Sequence, residues 1–299
     1  MFPPLLRHRE QFVNGIVNVI VAAVIACAFA LACSLAGCAS GGTGSSSADA
    51  DNTSASTDGK TLRVAMELAY PPFETKDDAG NPEGLAVDFI RDFGAAYGYD
   101  VQIENTAWDG LIPSLQSDKA DLVISSMTIT DERKQSVDFS DAYAMAQLAI
   151  LANADSGVAS IDDLNQPGKK VAVKTGSTGD VYATKNLTNA EIVRLADESA
   201  CVTEVVQGKA DGFLYDQLTI YRNHQANPDT TEAVFIPFQD AEEWGIAVKK
   251  GDTELLDQLN AFIAQSKTDG EFDRLTEKYL ADEKKAFDQY GFKWFFDFE

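Results

Sequence analysis

Two rhythms of apolar residues alternate along the chain between Thr61 and Leu280. Short, nearly continuous apolar runs predict buried strands, and stretches with apolar residues three or four apart predict amphipathic helices. Residues 61–66 read as the first strand, broken by Pro71-Pro72-Phe73, and Leu85–Tyr97 carries helical spacing at Leu85, Val87, Phe89, Ile90 and Phe93. A strand at 101–105, a helix at 109–116 and a strand at 121–125 follow. After Ala149 a second set begins: a short helix at 161–164, a strand at 170–173, a helix at 178–184 and a strand at 191–195. It continues with a helix at 201–207, a strand at 210–215 and a helix from Gln217. Residues 235–238 and 245–248 read as strands, and 253–267 and 270–280 as helices. This alternation predicts an α/β protein with largely parallel sheets, each set resembling half of a Rossmann unit. Two βαβ lobes with a late return of the chain make two crossings between lobes, and such crossings form a hinge. No repeat of fixed period is present.

The pattern is different at both ends. Arg7, His8 and Arg9 precede an unbroken apolar run at 19–33, the arrangement of an export signal. A membrane-spanning anchor is the alternative, since 16–33 is almost long enough to cross a bilayer. Leu35-Ala36-Gly37-Cys38 favours the first reading, because it resembles the lipobox at which bacterial lipoproteins are cleaved and diacylated on the cysteine. Residues 1–37 are therefore expected to be a lipoprotein signal peptide, with Cys38 as the lipidated residue. Residues 38–60, rich in Gly, Ser, Thr and Asp, have no apolar face and read as a flexible tether. Lobe 1 is then expected at 61–145, lobe 2 at 146–240 and a return into lobe 1 at 241–280. At the far end, 281–299 closes with five aromatics among Gly291 to Phe298. A helix packing its aromatic side on its own lobe is the plain expectation, and a partner or membrane contact is the alternative.

Charge and cysteines narrow the function. The formal net charge is −23 with no long basic block, so nucleic acid is excluded as a partner. Cys27 and Cys33 fall in the signal and Cys38 at its end, which leaves Cys201 as the one cysteine of the body. That excludes an intramolecular disulfide framework, and Cys201 reads as a small buried hydrophobe rather than a nucleophile. His8 lies in the signal and His224 stands alone, so neither a metal site nor a cofactor is expected.

The candidate chemistry lies where strands end, at the edge of an open α/β sheet that binds ligands. In SSMTITDER (125–133), Thr130 reads as a helix N-cap and Arg133 falls in the first turn. A guanidinium there can clamp a carboxylate through two parallel N–H bonds; a surface ion pair with Asp131 or Glu132 is the plain alternative. In ELAYPPF (67–73), Glu67 can receive a polar or cationic group and Tyr70 can lay its ring along a carbon chain. Trp108 can form the opposite wall, or merely pack its lobe. Ser126 and Thr128 supply backbone and hydroxyl groups. The turn KTGSTG (174–179) offers free amides near Thr178 that suit an anion, though it lacks the spacing of a phosphate-binding loop. Asp216 ends the strand at 210–215. Arg133 with the Thr178 amide makes a carboxylate receptor, and Asp216 with Thr128 makes an ammonium receptor. A zwitterionic α-amino acid needs both, because burying either charge unpaired costs several kcal/mol.

Several of these stretches together resemble the family 3 extracellular solute-binding proteins, which deliver polar amino acids to ABC importers. The resemblance is carried by YPPFE (70–74), GLAVDFIRD (84–92), WDGLIPSLQ (108–116), KADLVISSMTITDERKQSVDFSDAY (119–143), GKKVAVKTGST (168–178), GKADGFLYD (208–216) and WGIAVKKG (244–251). It implies a periplasmic-binding-protein-like fold of two lobes joined by two hinge strands, at 143–150 and 240–244, with the ligand cleft between them. It implies that Arg133 and the Thr178 amide bind the α-carboxylate and that Asp216, Ser126 and Thr128 hold the α-amino group. Tyr70 and Trp108 would flank the side chain, with Glu67 and Lys174 reading its polar end. An acid paired with a lysine satisfies an amide, which favours glutamine; the longer Glu and the Tyr wall leave arginine, histidine or cystine open. The resemblance further implies a monomer, held to the outer face of the cell membrane by its lipid, that presents its ligand to an ABC permease. A sensor ectodomain, or an enzyme like the cyclohexadienyl dehydratases, is the rival; no catalytic residue is expected, since every charged cleft residue already has a binding role.

Overall fold

The computed structural model describes residues 59–290 and 293–298. The predicted signal peptide, Cys38 and nearly all of the tether lie outside the described residues, as do Gly291, Phe292 and Glu299.

Strand β1 (Lys60–Met66) opens the first lobe, buried at Leu62, Val64, Ala65 and Met66. A small hairpin, β2 (Thr75–Lys76) and β3 (Pro82–Glu83), leads into α1 (Leu85–Tyr97), whose apolar face is fully buried at the predicted positions. Gly84 begins this helix with φ 132°, and a Cβ there would sit 2.4 Å from the Phe73 carbonyl oxygen, so only glycine fits. The chain continues through β4 (Tyr99–Asn105), a 3₁₀ turn at Trp108–Gly110, α2 (Leu111–Gln116), β5 (Leu122–Val123), α3 (Asp131–Lys134) and β6 (Val137–Phe139). The helix expected at 109–116 thus starts as a tighter turn. The strand expected at 121–125 keeps only Leu122 and Val123, because the chain bends into the cleft at Ser126, which adopts a left-handed φ of 48°.

Strand β7 (Ala144–Ala146) carries the chain across to β8 (Leu148–Asn153) and the second lobe. There α4 (Ile161–Leu164), β9 (Lys170–Lys174), α5 (Thr178–Asn186), β10 (Glu191–Leu195), α6 (Glu198–Val206), β11 (Gly212–Asp216), α7 (Gln217–Ala226) and β12 (Thr231–Val234) follow. The strand expected at 235–238 is β12 instead, displaced toward the N-terminus. Thr231 to Val234 pair with β8, whereas the Phe238 ring packs 4.9 Å from Tyr182, so its apolar signal reports ring packing and not a ladder. The return runs through β13 (Glu242–Trp244), β14 (Ala247–Lys249), α8 (Thr253–Ser266), α9 (Glu271–Tyr279) and α10 (Ala281–Tyr290).

Each lobe holds a five-stranded sheet, ordered β4-β1-β5-β14-β6 in lobe 1 and β10-β9-β11-β8-β12 in lobe 2. The expectation of largely parallel sheets needs correction. The pairs β1/β4, β1/β5, β9/β10 and β9/β11 are parallel, but β14 runs antiparallel to β5 and β6, and β8 antiparallel to β11 and β12. The physical reason lies at the crossings: β8 and β14 enter their sheets directly from the strands that link the lobes, opposite in direction to the βαβ strands. Those linking strands, β7 and β13, pair antiparallel with each other from Ala144↔Trp244 to Ala146↔Glu242. Cys201 is fully buried in the lobe 2 core and its thiol is pushed up to about 12 by burial, the behaviour of a packing residue.

Candidate ligand-binding cleft

The edges of the two sheets face each other across a cavity. Glu67, Tyr70, Trp108, Ser126, Thr128 and Arg133 line it from lobe 1, and Thr178, Tyr215 and Asp216 from lobe 2. Eight of the nine expected site residues therefore meet there. Lys174 does not line the cavity and stands behind Glu67 and Trp108, which do.

Arg133 is placed by the short helix α3. Thr130 caps it as expected, its hydroxyl accepting the Arg133 amide at 3.2 Å, which turns the side chain along the cleft. Nη1 donates to the Thr128 carbonyl at 2.7 Å, and Nη2 crosses to the Gly176 carbonyl of lobe 2 at 3.1 Å. The guanidinium lies 5.2 Å from the centre of the Trp108 ring. No carboxylate stands within 4.0 Å of it among the described residues, so the surface ion pair with Asp131 or Glu132 is absent. Burial pulls its pKa down, and Glu242 is the strongest opposing field. Near it the Thr178 amide, at the first position of α5, has no acceptor among the described residues. The neighbouring amides of Gly176, Ser177 and Asp180 are taken by Asp180, Lys174 and Ser177, so the turn is less open than its sequence suggested.

The other pole is acidic. Asp216 caps α7, and its Oδ1 accepts the amides of Leu218 at 2.9 Å and Thr219 at 3.1 Å and the Tyr70 hydroxyl at 2.7 Å. Its Oδ2, like the nearby Thr219 hydroxyl, is buried without a partner among the described residues, an acceptor that an incoming donor can use. Burial raises the Asp216 pKa despite these bonds. Tyr70 thus has a second role beyond the expected ring wall: its hydroxyl orients the acid. The Ser126 hydroxyl donates to Glu74 at 3.2 Å, and the hydroxyls of Thr128 and Thr178 both donate to Glu242 Oε2, at 2.9 and 2.7 Å. With its proton given to Glu242, the Thr128 hydroxyl keeps lone pairs that can accept from an ammonium, but it cannot also donate to a carboxylate.

The remaining cation is already committed. Lys174, 4% exposed, forms an ion pair with Glu67 and lies 5.1 Å from the Trp108 ring centre. The second Glu67 oxygen accepts the Trp108 amide at 3.3 Å.

Glu74, Glu242, Tyr215 and Trp244 also line the cavity, though nothing local in the sequence marks them as site residues. Glu74 stood in the YPPFE stretch, but an acid after two prolines and a phenylalanine reads as solvated. Here it is 1% exposed, and burial holds its pKa well above the carboxylate range. Glu242 fell within a segment read only as hinge. Tyr70 stacks on Phe73 at 5.6 Å and meets Trp244 edge-on at 5.9 Å, so the apolar wall is an aromatic cluster.

Comparisons with known proteins agree on what this cleft belongs to. Residues 62–282 match the model of the bacterial extracellular solute-binding proteins, family 3. A probable histidine-binding protein of Neisseria gonorrhoeae is 37% identical over 248 residues, covering 82% of this chain and 91% of its own. An L-arginine-binding protein of Pseudomonas aeruginosa is 34% identical over 253 residues, 78% of this chain and 90% of its own. Among solved structures, an ancestral amino acid-binding protein described as a precursor of cyclohexadienyl dehydratase superposes with a TM-score of 0.67 at 38% identity, covering 73% of this chain and 94% of its own. These names are those of binding proteins, not of enzymes. Proteins of the matched family are extracytoplasmic, and no helix among the described residues is long and apolar enough to cross a membrane. The chain belongs to the family 3 bacterial extracellular solute-binding proteins, two-lobed receptors whose relatives bind amino acids for ABC transporters.

Proposed function

We propose that this chain is the amino-acid receptor of an ABC importer, and that its ligand is a basic amino acid. The carrying observation is the charge balance of the cleft. Glu67 and Lys174 neutralise each other, which leaves Arg133 as the cation that, among the described residues lining the cleft, has no carboxylate partner, against Glu74, Asp216 and Glu242. An α-amino acid places its carboxylate on Arg133 and the Thr178 amide, and its ammonium on Asp216 Oδ2. A second positive charge on its side chain then offsets the remaining acids, which otherwise stay protonated or unpaired. Glutamine, expected from the Glu67 and Lys174 pair, gains less, because those two groups already satisfy each other. The ligand bridges both lobes, and the hinge strands β7 and β13 let them close over it. The closed form is what the permease receives.

Lipidation at Cys38 would keep the receptor, as a monomer, at the outer face of the membrane through the tether. Replacing Cys38 by alanine is expected to move the protein from the membrane fraction to the medium or periplasm.

A thermal-shift screen of ligand-stripped protein against all common amino acids, cystine and prephenate tests the ligand. Arginine, lysine or histidine should raise the melting temperature more than glutamine does, since a ligand that binds only the native state stabilises it. A larger rise with glutamine overturns the basic-ligand reading, and no rise with any of them overturns the amino-acid reading.

A further inference from the structure

The family match ends at residue 282, yet α10 and residues 293–298 go on to make contacts with both lobes. Phe287 and Phe295 are fully buried and Trp294 nearly so, all within the core of lobe 1. The Trp294 indole donates to the Thr276 hydroxyl at 3.2 Å, which seats the segment on α9. Its further contacts fall on the moving parts. The Phe295 carbonyl accepts the amide of Met145, in the hinge strand β7, at 2.6 Å. Its ring lies 5.2 Å from Phe73 and 5.6 Å from Trp244, the two rings directly behind Tyr70. From α10, Glu283 pairs at 3.2 Å with Arg222 of lobe 2, and Phe287 meets Tyr221 of lobe 2 edge-on at 5.8 Å. Arg222 also donates to the Pro71 carbonyl of lobe 1 at 2.8 Å.

We propose that α10 and residues 293–298 are a strap: a third link between the lobes, beside β7 and β13, that props the aromatic wall of the cleft and holds the lobes together. Phe295 is then a positioning residue for ligand binding, acting through Phe73, Trp244 and the hinge backbone. The Arg222–Glu283 pair sets how readily lobe 2 swings away, because α7 moves with lobe 2 while α10 is anchored on lobe 1. A segment serving only as packing would lie on one lobe and leave the hinge strand alone. This inference rests on the amino-acid-receptor reading only for its effect on ligand release.

The opening equilibrium is measured first without ligand. Spin labels on the exposed positions Asp78 in lobe 1 and Lys185 in lobe 2, introduced as D78C and K185C, report the inter-lobe distance, since the native Cys201 is buried. Glu283→Arg, which sets two cations against each other, should shift the distribution to longer distances. The charge swap R222E/E283R should restore it. With arginine bound, Glu283→Arg should speed ligand dissociation about three- to fivefold, the range open to a partly exposed pair. Phe295→Ala should speed it about tenfold, with Phe295→Leu in between, as expected for loss of an aromatic contact. Unchanged distances in both Glu283→Arg and Phe295→Leu overturn the strap, and so does a swap that fails to restore the wild-type distribution. If the wild-type protein binds no amino acid, the receptor reading fails, while the distance measurements still decide the strap. Should Phe295→Ala fail to fold, the leucine variant and the charge swap carry the test.

Discussion

Arg133 and Lys174 lie at nearly the same distance from the Trp108 ring, 5.2 and 5.1 Å, and they have opposite fates. Lys174 is spent on Glu67, a buried pair that closes one end of the cleft. Arg133 gives two of its donors to backbone carbonyls, which orient the guanidinium without neutralising it. The difference shows how a cleft lined with acids keeps one cation available. Carbonyl oxygens hold its geometry, and the charge stays free for an incoming carboxylate. A lysine in that place would lose the second, cross-cleft bond, because an ammonium cannot present two donors in a planar fork.

The comparison breaks most sharply at Arg133. Arg133→Ala should weaken amino-acid binding by about a hundredfold or more, in keeping with the cost of removing one partner from a buried charge pair. The melting temperature of the ligand-free protein should stay close to wild type, because the side chain bonds no carboxylate. Calorimetric titration with arginine checks the first expectation, and near-normal affinity would return Arg133 to a surface role. Arg133→Lys should recover only part of the loss.

Glu67→Gln attacks the other cation. It leaves Lys174 buried beside an amide, so about 3–5 kcal/mol of stability is expected to be lost, within the range for breaking a buried pair. It also frees a second positive charge, so the variant should lose affinity for basic ligands while gaining some for glutamate. Urea unfolding and a competition assay between arginine and glutamate read these two effects separately. Trp108→Leu removes the ring between the cations and should cost about 1–2 kcal/mol of binding, the scale of desolvated cation–π contacts.

The smallest effect is on pH dependence. Burial, with Asp216 adding to it and Lys174 opposing, raises the Glu198 carboxyl from its ordinary 4.5 to about 8. Between those values the unfolded chain releases a proton that the folded chain keeps. Stability from this group is therefore full below about 4.5 and declines as pH rises through about 8. Glu198→Gln should flatten that decline and melt above wild type at alkaline pH, measured by thermal unfolding across the range. Asp216 and Glu74 are raised in the same direction by burial. Binding of a basic amino acid should hence strengthen as pH rises from acid to neutral, with proton release detectable in buffers of different ionisation enthalpy.

Much of this was legible in the residues. The helix Leu85–Tyr97 was readable from its apolar spacing, since a long amphipathic period determines an element locally. Thr130 announced its cap, and Arg133, Asp216 and Trp108 announced themselves by standing at strand ends. Of the shortest strands, β5 and β14 were expected with other bounds, at 121–125 and 245–248, and β6 was not legible at all, because strands of two or three residues depend on partners distant in sequence. Phe238 misled for the same reason: an aromatic that packs on Tyr182 has the same pattern as one in a ladder. Glu74 and Glu242 were invisible as site residues, since burial is what makes an acid significant and burial is not local.

The sequence by itself determined the α/β class, the order of elements and the family, because local periodicity and turn chemistry act within a few residues. It also determined the types of charge available to the cleft. Which charges cancel was decided by the tertiary structure alone. Only the tertiary packing brings Lys174 onto Glu67, leaves Arg133 against carbonyls and carries Phe295 from the end of the chain to the back of the aromatic wall. Electrostatic and packing energies depend on distances set between residues far apart in the chain, and no pattern along one dimension contains those distances.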